Sequence, residues 1–148
     1  MPENTARDYA GDISPHEAWT MLASTPKAQL VDVRTSAEWT FVGVPDLSSI
    51  GRETQLVQWQ AYPSMSVDPD FATKTSAALK QTGAASDTPV LFICRSGARS
   101  RSAAIALTNA GYAHAYNVAG GFEGDLDDER HRGRRSGWKA AGLPWRQT

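Results

Sequence analysis

The chain has a single cysteine in 148 residues. That scarcity excludes an internal disulfide framework, because one thiol has no partner within the chain. Long apolar runs are missing too, and no stretch approaches the ~20 residues that span a bilayer as a helix. Charge of one sign is equally scarce. Fifteen Lys and Arg stand against sixteen Asp and Glu, a net charge of -1, so nothing calls for nucleic acid or an anionic membrane as partner. The opening residues Met1 to Asp8 lack the basic start and apolar stretch of a secretory signal. With one unpaired thiol, this predicts the cytoplasm, where thiols stay reduced. Histidine is sparse as well. His16, His114 and His131 have no metal-ligand spacing with one another or with Cys94, so none is read as a metal ligand. No histidine stands beside Cys94 in sequence, which leaves a Cys–His dyad unsupported.

What remains is an ordinary globular composition, 41% apolar and 21% charged. The length suits one domain over 1–148 with an ordered core over about 10–145. The first ordered element is expected to open at Ser14. Ser14 and Glu17 have capping-box spacing and Pro15 suits the first helical position. Gln29-Leu30-Val31-Asp32-Val33 reads as a buried strand. Thr35 and Glu38 repeat the capping-box spacing and open a short helix carrying Trp39. The stretch 43–67 is punctuated by glycine and proline, with a short strand expected near Ser48–Ile50. Asp68-Pro69 reads as the cap and first turn of a helix that Gly83 ends.

Pro89-Val90-Leu91-Phe92-Ile93 is the most apolar run and reads as a central parallel strand. A helix over Ser100–Ala110 and a last strand over His114–Val118 follow. This alternation predicts an α/β fold, a central parallel sheet flanked by helices on both faces. Sites in such folds lie at the carboxyl ends of strands, where a helix starts.

Cys94 occupies that place. Within Cys94-Arg95-Ser96-Gly97-Ala98-Arg99, Gly97 permits a turn that most residues resist. Backbone N–H groups of residues 95–99 can then form a nest for an anion. The following helix adds its positive end, and Arg95, Arg99 and Arg101 add fixed charge. Such settings favour thiolate and lower a cysteine pKa from ~8.5 to roughly 3.5–7.5. Cys94 is therefore read as a nucleophile, with a buried structural thiol as the plainer alternative. Asp32 is expected to accept N–H bonds from this loop or to pair with an arginine, and Arg34 to pair with Glu38.

The stretch Cys94-Arg95-Ser96-Gly97-Ala98-Arg99-Ser100 resembles the active loop of single-domain rhodaneses, the thiosulfate-type sulfurtransferases. Asp32-Val33-Arg34-Thr35 with Ala37-Glu38-Trp39, Gly120-Gly121-Phe122, and Trp138 with Gly142-Leu143-Pro144 resemble further hallmarks of that family in the same order. The resemblance implies a ping-pong reaction without cofactor. Cys94 would take the outer sulfur of thiosulfate as a persulfide and pass it to cyanide, a small thiol or a protein sulfur acceptor. Arg95, Ser96, Gly97, Ala98, Arg99 and Ser100 would hold the donor, with Arg99 orienting its sulfonate and Arg95 adding field at the entrance.

Two features depart from the family pattern. Gly43-Val44-Pro45 replaces a common Gly-His-Ile-Pro, a histidine that carries no catalytic role there. A charged insertion at 124–137 separates the glycine pair from Trp138. It reads as a solvated loop, or as a segment folded over the mouth of the Cys94 loop that selects the acceptor.

Two other classes compete. A phosphatase or arsenate reductase would place its arginine where Ser100 stands, one position after Arg99, so this loop makes a cradle too tight for a phosphoryl group. An interaction module or dedicated sulfur carrier would need no turnover, although inactive relatives typically lose the cysteine.

Overall fold

In the computed structural model, residues 8–61 and 63–147 are described. The expectation placed on Met1–Arg7 lies outside them. Both capping boxes close as the spacing predicts. Ser14 Oγ accepts from the Glu17 N–H at 3.1 Å, and the Glu17 carboxylate accepts from the Ser14 N–H at 2.8 Å. Helix α1 (Pro15–Ser24) starts there. Thr35 and Glu38 do the same for α2 (Ser36–Val42). Satisfying two otherwise orphaned N–H groups at each site fixes where the chain turns helical, at Thr35 just after strand β2 (Gln29–Asp32).

Strand β7 (Val90–Ile93) is buried throughout and lies at the centre of a parallel sheet of order β1-β8-β7-β2-β4. Here β1 is Gly11–Ile13, β4 is Gln55–Leu56 and β8 is Ala115–Val118. The pleat sends alternate side chains to opposite layers. Val31, Val33, Val90 and Phe92 pack with Phe71, Leu79, Ala103 and Leu107 from α3 (Phe71–Gln81) and α4 (Ala98–Asn109). Leu30, Leu91 and Ile93 pack with Ala18 and Leu22 of α1, and with Phe122 and Trp138. Trp138 lies on α5 (Gly137–Ala140). Each fully buried side chain of this size contributes ~1.5–3 kcal/mol relative to exposure. With helices on both faces, the register pairs Leu30 with Leu91 and Val31 with Phe92. Outside the main sheet, β3 (Val44–Pro45) pairs with β9 (Trp145–Arg146), and β5 (Gln60–Ala61) with β6 (Ser66–Val67).

Four boundaries differ from expectation. The first ordered element is β1, which precedes Ser14 and is held by pairing with β8. Its three residues carry no periodicity of their own. Ser48–Ile50 forms a 3-10 turn instead of a strand, closed by Gly51 at φ 72°. The strand in that region is β4, at the sheet edge. Asp68 does not cap α3. Its carboxylate accepts from the Asp70 N–H at 2.8 Å and from Lys74 Nζ at 2.6 Å, and the helix begins at Phe71. Helix α4 starts at Ala98, ahead of the expected Ser100. No helix among the described residues is long and apolar enough to cross a membrane.

Candidate active site

The turn from β7 into α4 is made by four residues, Cys94 to Gly97. Gly97 stands at the N-cap position with φ 120° and ψ -15°, a region closed to most L-residues. That conformation turns its N–H back onto Cys94 Sγ at 3.1 Å. Ser100, one turn into α4, places Oγ 3.2 Å from the same sulfur. Cys94 is only 1% exposed, yet its sulfur lies beside polar atoms at a helix N-terminus. Of the backbone groups at 95–99, the Gly97 N–H is the one bonded to Sγ. Arg95 and Ala98 are exposed, Ser96 and Arg99 half-buried, and Ser100 buried.

The glycine pair after β8 clamps the loop from behind. The Phe122 N–H donates to the Cys94 carbonyl at 2.7 Å, and the Glu123 and Gly124 N–H groups to the Arg95 carbonyl at 3.0 and 3.1 Å. A Cβ on Gly121 would meet the Cys94 carbonyl oxygen at 2.5 Å and Arg95 backbone at 2.6 Å. Only glycine lets the two backbones approach this closely.

At the end of β2, Asp32 pairs with Arg34. The carboxylate accepts from the Arg34 backbone N–H, Nε and Nη2, with Nη2 at 2.7 Å. Nη2 also donates to the Gly43 carbonyl, and the guanidinium lies 4.3 Å above the Phe122 ring. Both side chains are fully buried. Arg34 therefore does not pair with Glu38, as the short sequence separation had predicted.

Glu38 instead takes Arg99 in a two-pronged pair, at 2.7 and 3.0 Å. Arg99, expected to face a donor's sulfonate, has both terminal nitrogens on this carboxylate. Burial pushes the Glu38 carboxyl up, but the Arg99 hydrogen bonds and charge and the Thr35 bonds outweigh it and hold it at about 2. The Glu38 hydrogen bonds in turn raise Arg99. Because Glu38 is depressed from an ordinary 4.5, its stabilisation is full above that value and fades as pH falls toward 2. Glu38→Gln is expected to lose ~2–3 kcal/mol near neutral pH, with the gap from the unsubstituted chain closing in acid. Urea unfolding of both chains across that range checks it, and a gap independent of pH would assign the loss to packing.

The insertion is pinched at its root and self-paired at its tip. The Gly133 N–H donates to the Glu123 carbonyl at 2.6 Å and Arg132 Nη1 to the Gly124 carbonyl at 2.7 Å. Asp127, Glu129 and His131 converge on an exposed turn, but Arg134 bridges both carboxylates, so a cation already holds that position. Through Glu123 and Gly124, the root of the insertion touches the Arg95 carbonyl of the Cys94 loop.

Sequence reasoning missed two residues here. Asn117 on β8 accepts from Ser100 Oγ and donates to Asp12 on β1. An amide inside an otherwise buried strand was the available signal for Asn117. Asp12 gave none.

The profile described as the STR4 middle domain matches residues 10–148. The chain is 37% identical over 134 residues to the uncharacterized protein RP600 homolog of Rickettsia rickettsii, covering 90% of this chain and 95% of that protein. It is 29% identical over 133 residues to thiosulfate sulfurtransferase GlpE of Actinobacillus succinogenes, covering 90% and 87%. Among solved structures, that of Rv0390 from M. tuberculosis superposes with a TM-score of 0.81 at 52% identity, covering 95% of this chain and 99% of the other.

Proposed function

The chain belongs to the rhodanese-like sulfurtransferase family, and on that premise we propose that it moves sulfane sulfur through a persulfide on Cys94. The observation that carries this reading is the setting of Sγ. It accepts the Gly97 N–H at 3.1 Å at the positive end of α4, where negative charge on sulfur is stabilised. The Cys94 thiolate attacks the outer sulfur of thiosulfate. A new S–S bond forms, the bond to the sulfonate sulfur breaks, and sulfite leaves with the electron pair. A thiolate or cyanide acceptor then attacks the outer persulfide sulfur and returns Cys94 as thiolate. The chemistry uses no metal or cofactor. It suits a reducing compartment such as the cytoplasm.

Arg95 sits exposed at the loop entrance and is assigned to draw the anionic donor in. The pair with Glu38 takes two of the five Arg99 N–H donors, and Arg99 is assigned to orient the sulfonate with those that remain. The acceptor is a small thiol, cyanide or a protein, and the insertion is assigned to select it, a role supported by its root on the Arg95 carbonyl.

Intact-mass measurement after thiosulfate treatment tests the reaction. The expected result is a gain of one sulfur atom per chain that cyanide removes. An unchanged mass after both thiosulfate and inorganic polysulfide would overturn it.

A further inference from the structure

Ser100 Oγ has one proton and three acceptors around it. Asn117 Oδ1 lies at 2.5 Å, Cys94 Sγ at 3.2 Å and the Gly97 carbonyl at 3.2 Å. Asp12 decides among them from a distance. Asn117 Nδ2 donates to Asp12 Oδ1 at 2.9 Å. An ionised carboxylate only accepts, so the amide must present its NH2 to Asp12 and its carbonyl oxygen to Ser100. Two oxygens 2.5 Å apart need a proton between them, and the carbonyl has none to give. The Ser100 proton therefore points at Asn117, and Ser100 lone pairs face the sulfur.

This polarity suits a sulfur without charge. A thiol S–H can donate to Ser100, and the inner sulfur of a persulfide needs no donor there. A bare thiolate meets lone pairs on the Ser100 side and keeps only the Gly97 N–H. To recruit the Ser100 proton, it would have to break the shortest bond in the network. We propose that Asn117, oriented by Asp12, is a positioning residue that withholds the Ser100 proton from Cys94. It thereby favours the thiol and the loaded persulfide over the bare thiolate. The persulfide half of this statement rests on the sulfur-transfer reading above; the thiol half does not.

The device opposes its surroundings. Arg99 on α4 couples electrostatically to Cys94 and to Asp32, although Glu38 from α2 neutralises it in part. The Asp32–Arg34 pair from the end of β2 is internally compensated. Arg95 lies in the loop, and Asp12 approaches from β1 behind Asn117. Helix end and arginines pull toward thiolate, while the amide relay pulls back.

The test is the rate of iodoacetamide alkylation of the full chain against pH, which reads the single cysteine. Asn117→Leu frees the Ser100 proton for the thiolate. It is expected to move the midpoint down by about one pH unit, roughly a tenfold faster reaction on the acid side. Ser100→Ala removes the opposed lone pairs and is expected not to raise the midpoint. Adding Asn117→Leu to Ser100→Ala is expected to shift it no further, since the relay acts through that hydroxyl. A midpoint unmoved or raised in Asn117→Leu, a midpoint raised in Ser100→Ala, or an equal Asn117→Leu shift without Ser100 would each overturn the proposal. Ser100→Ala alone keeps the sign decisive if Asn117→Leu does not fold. Shifted midpoints in chains that never gain sulfur would leave the relay standing and remove the persulfide reading instead.

Discussion

Cys94→Ser is expected to abolish sulfur transfer to the background of the thiosulfate–cyanide assay, with no sulfur gained in intact mass. In the proposed reaction the sulfur atom is both the attacking group and the carrier, and serine oxygen forms no persulfide. No second thiol exists to substitute for it. The fold should persist. A serine hydroxyl at this position can accept the Gly97 N–H in place of Sγ, and the side chain fills nearly the same volume. An unchanged thermal midpoint with lost transfer separates chemistry from stability. Transfer retained by Cys94→Ser would dismiss the mechanism.

The second large effect is expected at Asp32. Asp32→Ala leaves the fully buried Arg34 guanidinium without its carboxylate. Removing one partner of a buried ion pair costs about 3–5 kcal/mol, because the remaining charge stays desolvated. Arg34 has little to fall back on: among the described residues Nη1 lacks a hydrogen-bond partner, and Nη2 keeps the Gly43 carbonyl alone. A domain is typically stable by only about 5–15 kcal/mol, so this is a large share of the whole. The loss should reach the active loop, since Asp32 pairs in register with Ile93, the residue before Cys94. Urea unfolding measures it. Replacing both partners, Asp32→Leu with Arg34→Met, is expected to recover most of the loss. A loss below ~1 kcal/mol for Asp32→Ala would mean that water or another group compensates the guanidinium.

Legibility in the sequence followed the range of the interaction. The capping boxes at Ser14 and Thr35, the apolar run of β7 and the turn at Gly97 are local signals, and each appears where the spacing puts it. Strands of two or three residues gave no pattern, because partners far along the chain hold them. Gly11 pairs with Tyr116, and Val44 with Arg146. Ser48–Ile50 offered an isoleucine and serines that fit a strand, yet no strand among the described residues pairs there and the segment coils. Glu38 shows both cases at once. Its bond to Thr35 was readable three residues away, and its bond to Arg99, 61 residues on, was not. That second bond overrode the nearer pairing with Arg34. Asn117 was missed for the same reason, since its partners are Ser100 and Asp12 and a strand amide alone does not announce them.

The place of β1 in the sheet has a consequence for the order of assembly. Among the described residues its three residues pair with β8, and the Asp12–Asn117 bond spans 105 residues. Contacts so distant close slowly and late, after the loop entropy between them has been overcome. A ribosome releases Asp12 first and Asn117 long afterwards. The strand, turn and helix around Cys94 are contiguous and can form before β1 docks. During that interval the thiol exists in its loop without the clasp that joins β1 to β8. The cysteine loop is thus made early and finished last, and a chain caught between the two stages presents a thiol whose Ser100–Asn117 neighbours are not yet locked by Asp12.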